Sequence, residues 1–330
     1  MANKEARRHH YIPQCYLRGF AAGAGKHARV TVAAIRSGQY FDTHPKNIAH
    51  IRDFLRFEIE GHEPDGLEKR MSQFEGTVAV ALRNITASRE FAGEDRDTIL
   101  NLMALLAVRS PYMREHWRQT HETLMKRVMD LALATKERWE GQIRQMRRAG
   151  ADVNDNITYE QIKEFHERGE YDVEVAREWQ IGLELKMFEA VLPMLAERNW
   201  KLYVTDEQKG FFVTGDKPVI LTWQEPDKMP AMVRHSPGFG LKGTEVYFAI
   251  SPQIAVVGVF EGEDEGTHEA STSLVGAGNL RVIEHTHEQV YSIKRTFPYF
   301  GPGLRLYHDS HFMERFEAAR KAADRHKKPG

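Results

Sequence analysis

The sequence predicts an α+β fold, in which an N-terminal β-hairpin and a long helical middle pack against a C-terminal, mainly antiparallel sheet. Apolar residues recur with helical spacing through residues 67–198, whereas β-branched and aromatic residues bounded by turn residues dominate 199–300. The two regions follow one another and do not alternate. This order favours α+β over a doubly wound parallel sheet.

The predicted elements follow in order along the chain. A short helix within 11–20 precedes the hairpin, whose strands at 29–35 and 39–41 flank a turn at Ser37-Gly38. We expect one elaborated domain with parts at 1–66, 67–198, 199–300 and a charged tail at 301–330. The remaining predictions are helices over 67–85, 97–108, 112–148 and 173–195, a short helix capped by Thr158, a helix from Asn279 to Tyr291, and strands at 200–205, 210–213, 219–222, 246–251 and 254–260.

Bulk composition is that of a globular protein with an ordinary polar surface. Hydrophobic residues make up 41% of the 330 residues, which is enough to form a buried core. Charged residues make up 28%, which is typical of a solvent-exposed surface. The formal net charge of -1 gives no long-range attraction to nucleic acid or anionic membranes. Such a partner would therefore need a local basic patch.

The cysteine content predicts a reducing compartment, and the hydropathy pattern predicts neither a signal peptide nor a membrane helix. Cys15 is the single cysteine, which excludes an intramolecular disulfide and a cysteine-based zinc site. The first residues contain no apolar core of signal-peptide length, and no later run reaches the roughly 18 apolar residues of a membrane helix. We therefore expect a cytoplasmic location. Dinucleotide and P-loop glycine motifs are absent from the sequence.

Several separated motifs carry a resemblance to a known family. The segment His9-His10-Tyr11-Ile12-Pro13-Gln14-Cys15-Tyr16-Leu17-Arg18-Gly19-Phe20 is similar to the opening signature of a bacterial family called domain of unknown function 4238. The resemblance extends over residues 4–295. It indicates which positions belong to the family's motifs, but it implies no reaction. It departs at Gly215 and Lys217, where it leads us to expect serine and asparagine. The later stretches that agree are Asn47-Ile48-Ala49, Leu67-Glu68 through Phe74-Glu75, Arg109-Ser110-Pro111, Val213-Thr214-Gly215-Asp216-Lys217-Pro218-Val219 and Ser251-Pro252.

Three candidate catalytic residues lie in the N-terminal third. His10 abuts the apolar face of the first predicted helix, and histidine is both a common general base and a metal ligand. Glu68 and Glu75 are seven residues apart, which returns both to one helix face about 10 Å apart in rise. Carboxylates beside an apolar stripe are partly desolvated, which raises their pKa unless a cation meets them. The alternatives are a packing or capping role for His10 and edge ion pairs for the glutamates.

The other two candidates are Arg109 and Asp216. Arg109 ends an apolar helix just before Ser110-Pro111, where its permanent charge needs a carboxylate or a phosphate partner. Asp216 follows Gly215 in a loop between two predicted strands and is the strongest candidate. Its alternative is a turn in which the carboxylate bonds nearby backbone. Glu75 and Asp216 are the predicted metal ligands, and Mg²⁺ or Mn²⁺ is the ion that we expect there.

Two further features of the sequence concern binding to nucleic acid and to metal. The predicted helix at 112–148 has a local basic excess that suits nucleic acid, although mixed charge at helical spacing also describes a solvated face. His285 and His287 would point about 200° apart on a helix, so we do not expect a metal site there.

Two functional hypotheses follow. The first is an intracellular metal-dependent hydrolase acting on a phosphodiester or nucleic acid, whose site gathers His10, Glu68, Glu75, Arg109 and Asp216. The second is a non-enzymatic binding or sensor module, in which the same residues form a buried polar network. Both hypotheses require that ionisable groups distant in sequence converge in the folded chain.

Overall fold

The computed structural model describes residues 8–56, 66–154, 156–262 and 265–326. Parts of the predicted segments 1–66, 67–198, 199–300 and 301–330 lie outside these ranges. The helices and mostly antiparallel sheets confirm the predicted α+β class, including the N-terminal hairpin. Contacts divide the chain into two units, residues 1–110 with 183–330 and residues 111–182. The expectation of a single domain stays a prediction.

Helices dominate the middle of the chain, and strands dominate both flanks. Within the described chain, no helix combines the length and apolarity that crossing a membrane requires. The helices are α1 (Gln14–Gly19), α2 (Gly66–Ser88), α3 (Gly93–Val108), α4 (Pro111–Ala132), α5 (Lys136–Arg148), α6 (Tyr159–Arg168), α7 (Arg177–Ala196), α8 (Thr272–His285) and α9 (Phe312–His326). The strands are β1 (Arg8–His10), β2 (Val30–Ala34), β3 (Gln39–Thr43), β4 (His50–Arg52), β5 (Asn199–Val204), β6 (Thr214–Gly215), β7 (Val219–Trp223), β8 (Thr244–Ser251), β9 (Ile254–Val259), β10 (Gly266–Glu269), β11 (Gln289–Ser292), β12 (Phe297–Gly301) and β13 (Arg305–Asp309).

The largest sheet has the strand order β10-β5-β9-β8-β7. β10 runs parallel to β5, and the other neighbours pair antiparallel. β8 and β9 form a tight hairpin in which Ser251 pairs with Ile254. α1 and α2 contact β8, while α3 and α8 contact β7. β8 is buried along nearly its whole length, as expected of a strand covered by helices.

A second sheet joins the two ends of the chain. Its order is β3-β2-β11-β6, so the N-terminal hairpin pairs with a strand that lies far along the sequence. Val32 of β2 is opposite Tyr291 of β11, and Tyr291 is also opposite Thr214 of β6. Two shorter pairings, β1 with β4 and β12 with β13, are antiparallel. The loop after β6, which contains Asp216, is therefore held beside the N-terminal segment.

α1 anchors the N-terminal segment in the core of the first unit. Tyr16, Leu17 and Phe20 have no exposed surface, and the Tyr16 ring stacks on Phe248 of β8. The Tyr16 hydroxyl donates a hydrogen bond to the Ala249 carbonyl at 2.7 Å. Each such large apolar side chain stabilises the fold by about 1.5–3 kcal/mol when buried. The six-residue helix is thus fixed by packing and not by its own helical stability.

The helix predicted over 112–148 is wrong as a single helix. α4 ends at Ala132, and α5 begins at Lys136 after Thr135, whose hydroxyl accepts the Arg138 N–H at 3.3 Å. An N-cap of this kind starts a new helix because it satisfies a backbone donor that has no partner in the helix itself.

Two predictions in the C-terminal half are also wrong. Asn279 lies inside α8 and does not cap it, since Ser271 occupies the cap and accepts the Leu274 N–H at 3.2 Å. Tyr291 belongs to β11 and not to the end of that helix. The strand predicted at 210–213 is replaced by the short β6, because only Thr214 and Gly215 pair with β11.

The unit of residues 111–182 is helical. Thr158 caps α6 in a reciprocal capping box, which confirms its predicted role. Charges on α4 pair along the helix: Arg118 meets Glu115 at 2.8 Å and Glu122 at 2.9 Å, and Lys126 meets Glu122 at 2.6 Å. This pairing is typical of a solvated face. Nucleic-acid binding through this region stays a prediction.

Candidate functional site

The Asp216 carboxylate accepts hydrogen bonds from backbone N–H groups in the segment that connects α8 to β11. Its Oδ1 accepts the His287 N–H at 2.9 Å, and its Oδ2 accepts those of Glu288 at 2.6 Å and Gln289 at 3.1 Å. In return, the Asp216 N–H donates to the Gln289 carbonyl at 3.0 Å. The side chain is buried, with 1% of its surface exposed. Both carboxylate oxygens are therefore committed to holding this connection in place.

Burial shifts the pKa values of the ionisable groups around Asp216. It raises the pKa of Asp216, while the three backbone N–H donors oppose the rise. It also lowers the pKa of the neighbouring Lys217, although the Asp216 charge acts in the other direction. Tyr11, on the N-terminal segment, has a raised pKa because of burial and, next, the Asp216 charge. Tyr11 and Asp216 thus lie close enough to interact electrostatically.

His9 and His10 lie on β1 and have different surroundings. His9 is fully buried, and its Nδ1 accepts the Leu55 N–H at 2.8 Å. His10 is half-buried, and its ring centroid is 5.5 Å from that of His50. Burial lowers the pKa of His10 to about 4, and the nearby His50 adds to this effect. The His10 imidazole is therefore neutral near pH 7.

Glu68, Glu75 and Arg109 form one electrostatic cluster. Burial raises the pKa of Glu75, the Arg109 charge opposes this rise, and Glu68 adds to it. Arg109 follows the last turn of α3 and is only 3% exposed. The fold thus brings three of the five candidates together. His10 interacts with His50, and Asp216 interacts with the α8–β11 connection.

A cleft of about 540 Å³ lies beside α1. Its walls come from α1, the C-terminal half of α2, the β8–β9 turn, and the side chains of Phe211 and Ile293. Arg18 and Arg83 line it, and both are exposed. Neither guanidinium makes a hydrogen bond or close ion pair with another described residue, although Arg18 does lower the pKa of Glu75. Two cationic groups are therefore open to a ligand at this cleft.

Cys15 also lines the cleft, as a protonated thiol. Burial raises its pKa to about 12, the Glu75 charge adds to the rise, and Arg18 opposes it. A thiol with so high a pKa is a weak nucleophile at neutral pH, because only the thiolate attacks. Cys15 therefore contributes shape and polarity to the cleft.

Arg198 is a buried cation that the sequence did not reveal. It is 1% exposed, and its guanidinium donates to the carbonyls of Phe239 at 2.6 Å, Thr244 at 3.0 Å and Gly258 at 3.1 Å. It also lies 4.2 Å from the centre of the Phe260 ring. Burial lowers its pKa to about 10, so it stays charged at neutral pH. Its position after α7 had no distinguishing sequence pattern.

Asn279 joins three parts of the chain from within α8. Its Oδ1 accepts the Val213 N–H at 2.9 Å, and its Nδ2 donates to the carbonyls of Phe211 at 2.9 Å and Pro298 at 2.8 Å. The side chain has no exposed surface. Like Asp216, it satisfies backbone groups that lie outside regular pairing.

Among the described residues, no group of three or more histidine, cysteine, aspartate or glutamate side chains could hold a metal ion. Metal binding by Glu75 and Asp216 stays a prediction.

The family model described as Protein of unknown function (DUF4238) matches residues 8–296. The chain belongs to the DUF4238 family. This result confirms the resemblance that the sequence motifs suggested. No curated protein and no solved structure matches the chain.

Two stretches of the DUF4238 resemblance meet at the cleft. Cys15, Arg18 and Gly19 come from the opening signature, and Ser251-Pro252 forms the β8–β9 turn on another wall. Arg18 could have been singled out from the sequence because it belongs to that signature. Arg83 could not, since an exposed arginine on an amphipathic helix resembles ordinary solvated surface.

Proposed function

We propose that this DUF4238 protein is a non-enzymatic binding module that holds an anionic ligand in the cleft beside α1. One observation carries the proposal: Arg18 and Arg83 line the same cleft, and their guanidinium groups make no hydrogen bonds to other described residues. Guanidinium forks bind carboxylate or phosphate oxygens in pairs. An anion in the cleft would supply the acceptors that these two side chains lack.

The other polar groups of the site support a rigid frame. Both carboxylate oxygens of Asp216 accept hydrogen bonds from backbone N–H groups. The Asn279 side chain makes three hydrogen bonds, all with backbone groups. Cys15 is protonated at neutral pH because of its raised pKa. A buried network whose members are satisfied rigidifies its surroundings without any chemistry. Such a rigid network would preorganise the walls of the cleft for ligand binding.

A metal-dependent hydrolase acting on a phosphodiester or nucleic acid is the second candidate. The cluster of Glu68, Glu75 and Arg109 favours it, since burial raises the pKa of Glu75 beside a permanent cation. Carboxylates that bind Mg²⁺ or Mn²⁺ and an arginine that neutralises phosphate are the parts such a reaction needs. A cytoplasmic location and nucleic-acid contact through residues 112–148 belong to this candidate as predictions.

Thermal unfolding in sodium phosphate tests the binding-module proposal. Phosphate stabilises proteins generally, so the comparison is between variants at equal ionic strength. Wild type and the matched control Arg305→Gln, an exposed arginine outside the cleft, should gain stability equally. Arg18→Gln with Arg83→Gln should lose the specific part of the gain, which is about 2.7 kcal/mol with phosphate at about 100 times Kd.

Two outcomes would contradict the proposal. Equal gains in the double variant and wild type would mean that the two arginines hold no anion. Cleavage of bis(4-nitrophenyl) phosphate in Mg²⁺ or Mn²⁺, abolished in a folded Glu75→Gln variant, would establish the hydrolase in place of the binding module.

A further inference from the structure

The cleft beside α1 has apolar walls as well as cationic ones. Leu82 and Ile250 are buried, and Phe211 and Ile293 are half-buried where they line it. Covering apolar surface stabilises a complex by about 25 cal/mol per Å² removed from water. A hydrated inorganic ion would leave these walls in contact with water. A ligand that uses the whole cleft therefore has an apolar part.

The charge of the cleft favours a head group with two negative charges. Arg18 and Arg83 contribute two permanent positive charges, and the neighbouring Glu75 opposes them with one charge at most. A phosphate monoester carries about -1.5 to -2 charges at pH 7 and offers three acceptor oxygens. Two guanidinium forks can share those oxygens. A carboxylate carries a single negative charge, so it would balance only one of the two arginine charges.

The volume of the cleft limits the size of the organic part of the ligand. A volume of about 540 Å³ falls among small-molecule sites, which span roughly 300–1,000 Å³. This volume fits a phosphate together with a compact aromatic or aliphatic body. The ligand thus reaches from the arginines to the apolar walls.

Building on the proposed anion-binding function, we infer that the cleft binds a small organic phosphate monoester. Its phosphate lies between Arg18 and Arg83, and its organic body covers Phe211, Leu82 and Ile293. Such a ligand touches α1, α2 and the β8–β9 turn at once. Binding therefore joins the opening signature to the largest sheet.

Isothermal titration of the 330-residue protein with phenyl phosphate, inorganic phosphate and benzyl alcohol tests this inference. Phenyl phosphate should bind about tenfold or more tightly than inorganic phosphate, which corresponds to about 1.4 kcal/mol of apolar contact. Benzyl alcohol should bind far more weakly than phenyl phosphate. Arg18→Gln and Arg83→Gln should each weaken both phosphates, whereas Arg305→Gln should bind them like wild type.

A second set of variants separates the apolar part from the head group. Ala87 is exposed on α2 and lines the cleft, so Ala87→Phe should keep the fold and narrow the space for the ring. This variant should lower phenyl phosphate affinity and leave inorganic phosphate affinity nearly unchanged. Ala79→Phe, at a wall position about two turns of α2 nearer to Glu75, should give the same pattern, and unchanged phenyl phosphate affinity in both variants would contradict the placement of the ring.

The outcomes distinguish this inference from the function on which it rests. Equal affinities for the two phosphates would overturn the organic-monoester inference and leave anion binding intact. Equal affinities for benzyl alcohol and phenyl phosphate would overturn it as well, since the head group would then contribute nothing. Binding of neither phosphate would overturn the binding-module proposal itself.

Discussion

Replacing Asp216 with alanine should destabilise the protein by several kcal/mol. The carboxylate is 1% exposed and accepts three backbone N–H groups, at 2.9 Å, 2.6 Å and 3.1 Å. Each buried donor left without an acceptor costs about 1–3 kcal/mol. Because such effects do not add fully and the connection after α8 can relax toward water, we expect a loss of about 3–5 kcal/mol.

Asp206 supplies a matched control for this prediction. Its Oδ1 also accepts backbone N–H groups, from Gln208 at 2.9 Å and Lys209 at 3.0 Å, but the side chain is exposed. Water replaces the lost acceptor there, so Asp206→Ala should cost only about 0.5–1 kcal/mol. Urea unfolding followed by circular dichroism measures both free energies of unfolding. Asp216 is buried, whereas Asp206 is exposed and also lies 3.4 Å from the Lys209 ammonium, so the comparison sets a desolvated acceptor against a solvated one.

A small effect at Asp216 would refute this reasoning. If Asp216→Ala and Asp206→Ala both unfold within about 1 kcal/mol of wild type, the three hydrogen bonds do not stabilise the fold. Asp216 would then be free for a catalytic role, and the hydrolase hypothesis would gain support. Asp216→Asn should fall between wild type and alanine, because one amide oxygen still accepts while the NH₂ group faces a donor.

Three further predictions concern stability. Arg198→Lys should cost about 2–4 kcal/mol in urea unfolding, because one ammonium cannot replace a guanidinium that donates to the carbonyls of Phe239, Thr244 and Gly258; wild-type stability would contradict this. Gly215→Ala should lower the melting temperature, since its Cβ would overlap the Thr286 hydroxyl and cost about 1–3 kcal/mol. Gly76→Ala in α2 should be neutral or stabilising, because apart from the helix's own nearby backbone and the adjacent residues no atom lies within 4 Å of the added Cβ. The native pKa of His10 is about 4, below its ordinary 6.5, so the unfolded state takes up a proton first and stability falls as pH drops from 6.5 toward 4. In urea unfolding, the His10→Gln variant should lose less stability than wild type between pH 6.5 and pH 4. Identical losses in the two proteins would exclude His10 as a source of the pH dependence.

Much of the local structure could be predicted because local sequence patterns determine it. Helices α2 and α3 carry apolar residues at helical spacing, whereas the hairpin of β2 and β3 and strands β7 to β9 were indicated by β-branched and aromatic residues bounded by turn residues. The pairing of β2 with β11 could not be predicted, since periodicity carries no information about partners far apart in sequence. The break between α4 and α5 was missed because charged residues keep helical spacing on both sides of Thr135.

The α8 error has a physical cause in tertiary packing. Asparagine has a high intrinsic preference for helix N-caps, which led to the prediction that Asn279 begins the helix. In the folded chain Gly276 lies against Leu306, and Gly278 lies against the Tyr247 ring, so these positions have no room for larger side chains. Burial thus outweighs helix propensity at this point.

The candidate site was predictable in part. The resemblance marked the opening signature and the Asp216 loop, and the fold brings Glu68, Glu75 and Arg109 into one cluster. The three backbone N–H groups that bind Asp216 could not be predicted, since they come from residues about 70 positions later in the chain. Arg83 was missed because its role depends on which walls enclose it.

Hydrogen–deuterium exchange of the whole protein, with and without saturating phenyl phosphate, tests the central claim most directly. Ligand held by Arg18 and Arg83 should slow amide exchange in α1, in α2 near Arg83 and in the turn at Pro252-Gln253, and leave β12 and β13 unchanged. Protection spread evenly over the chain, or confined to residues 111–182, would contradict a ligand site at this cleft.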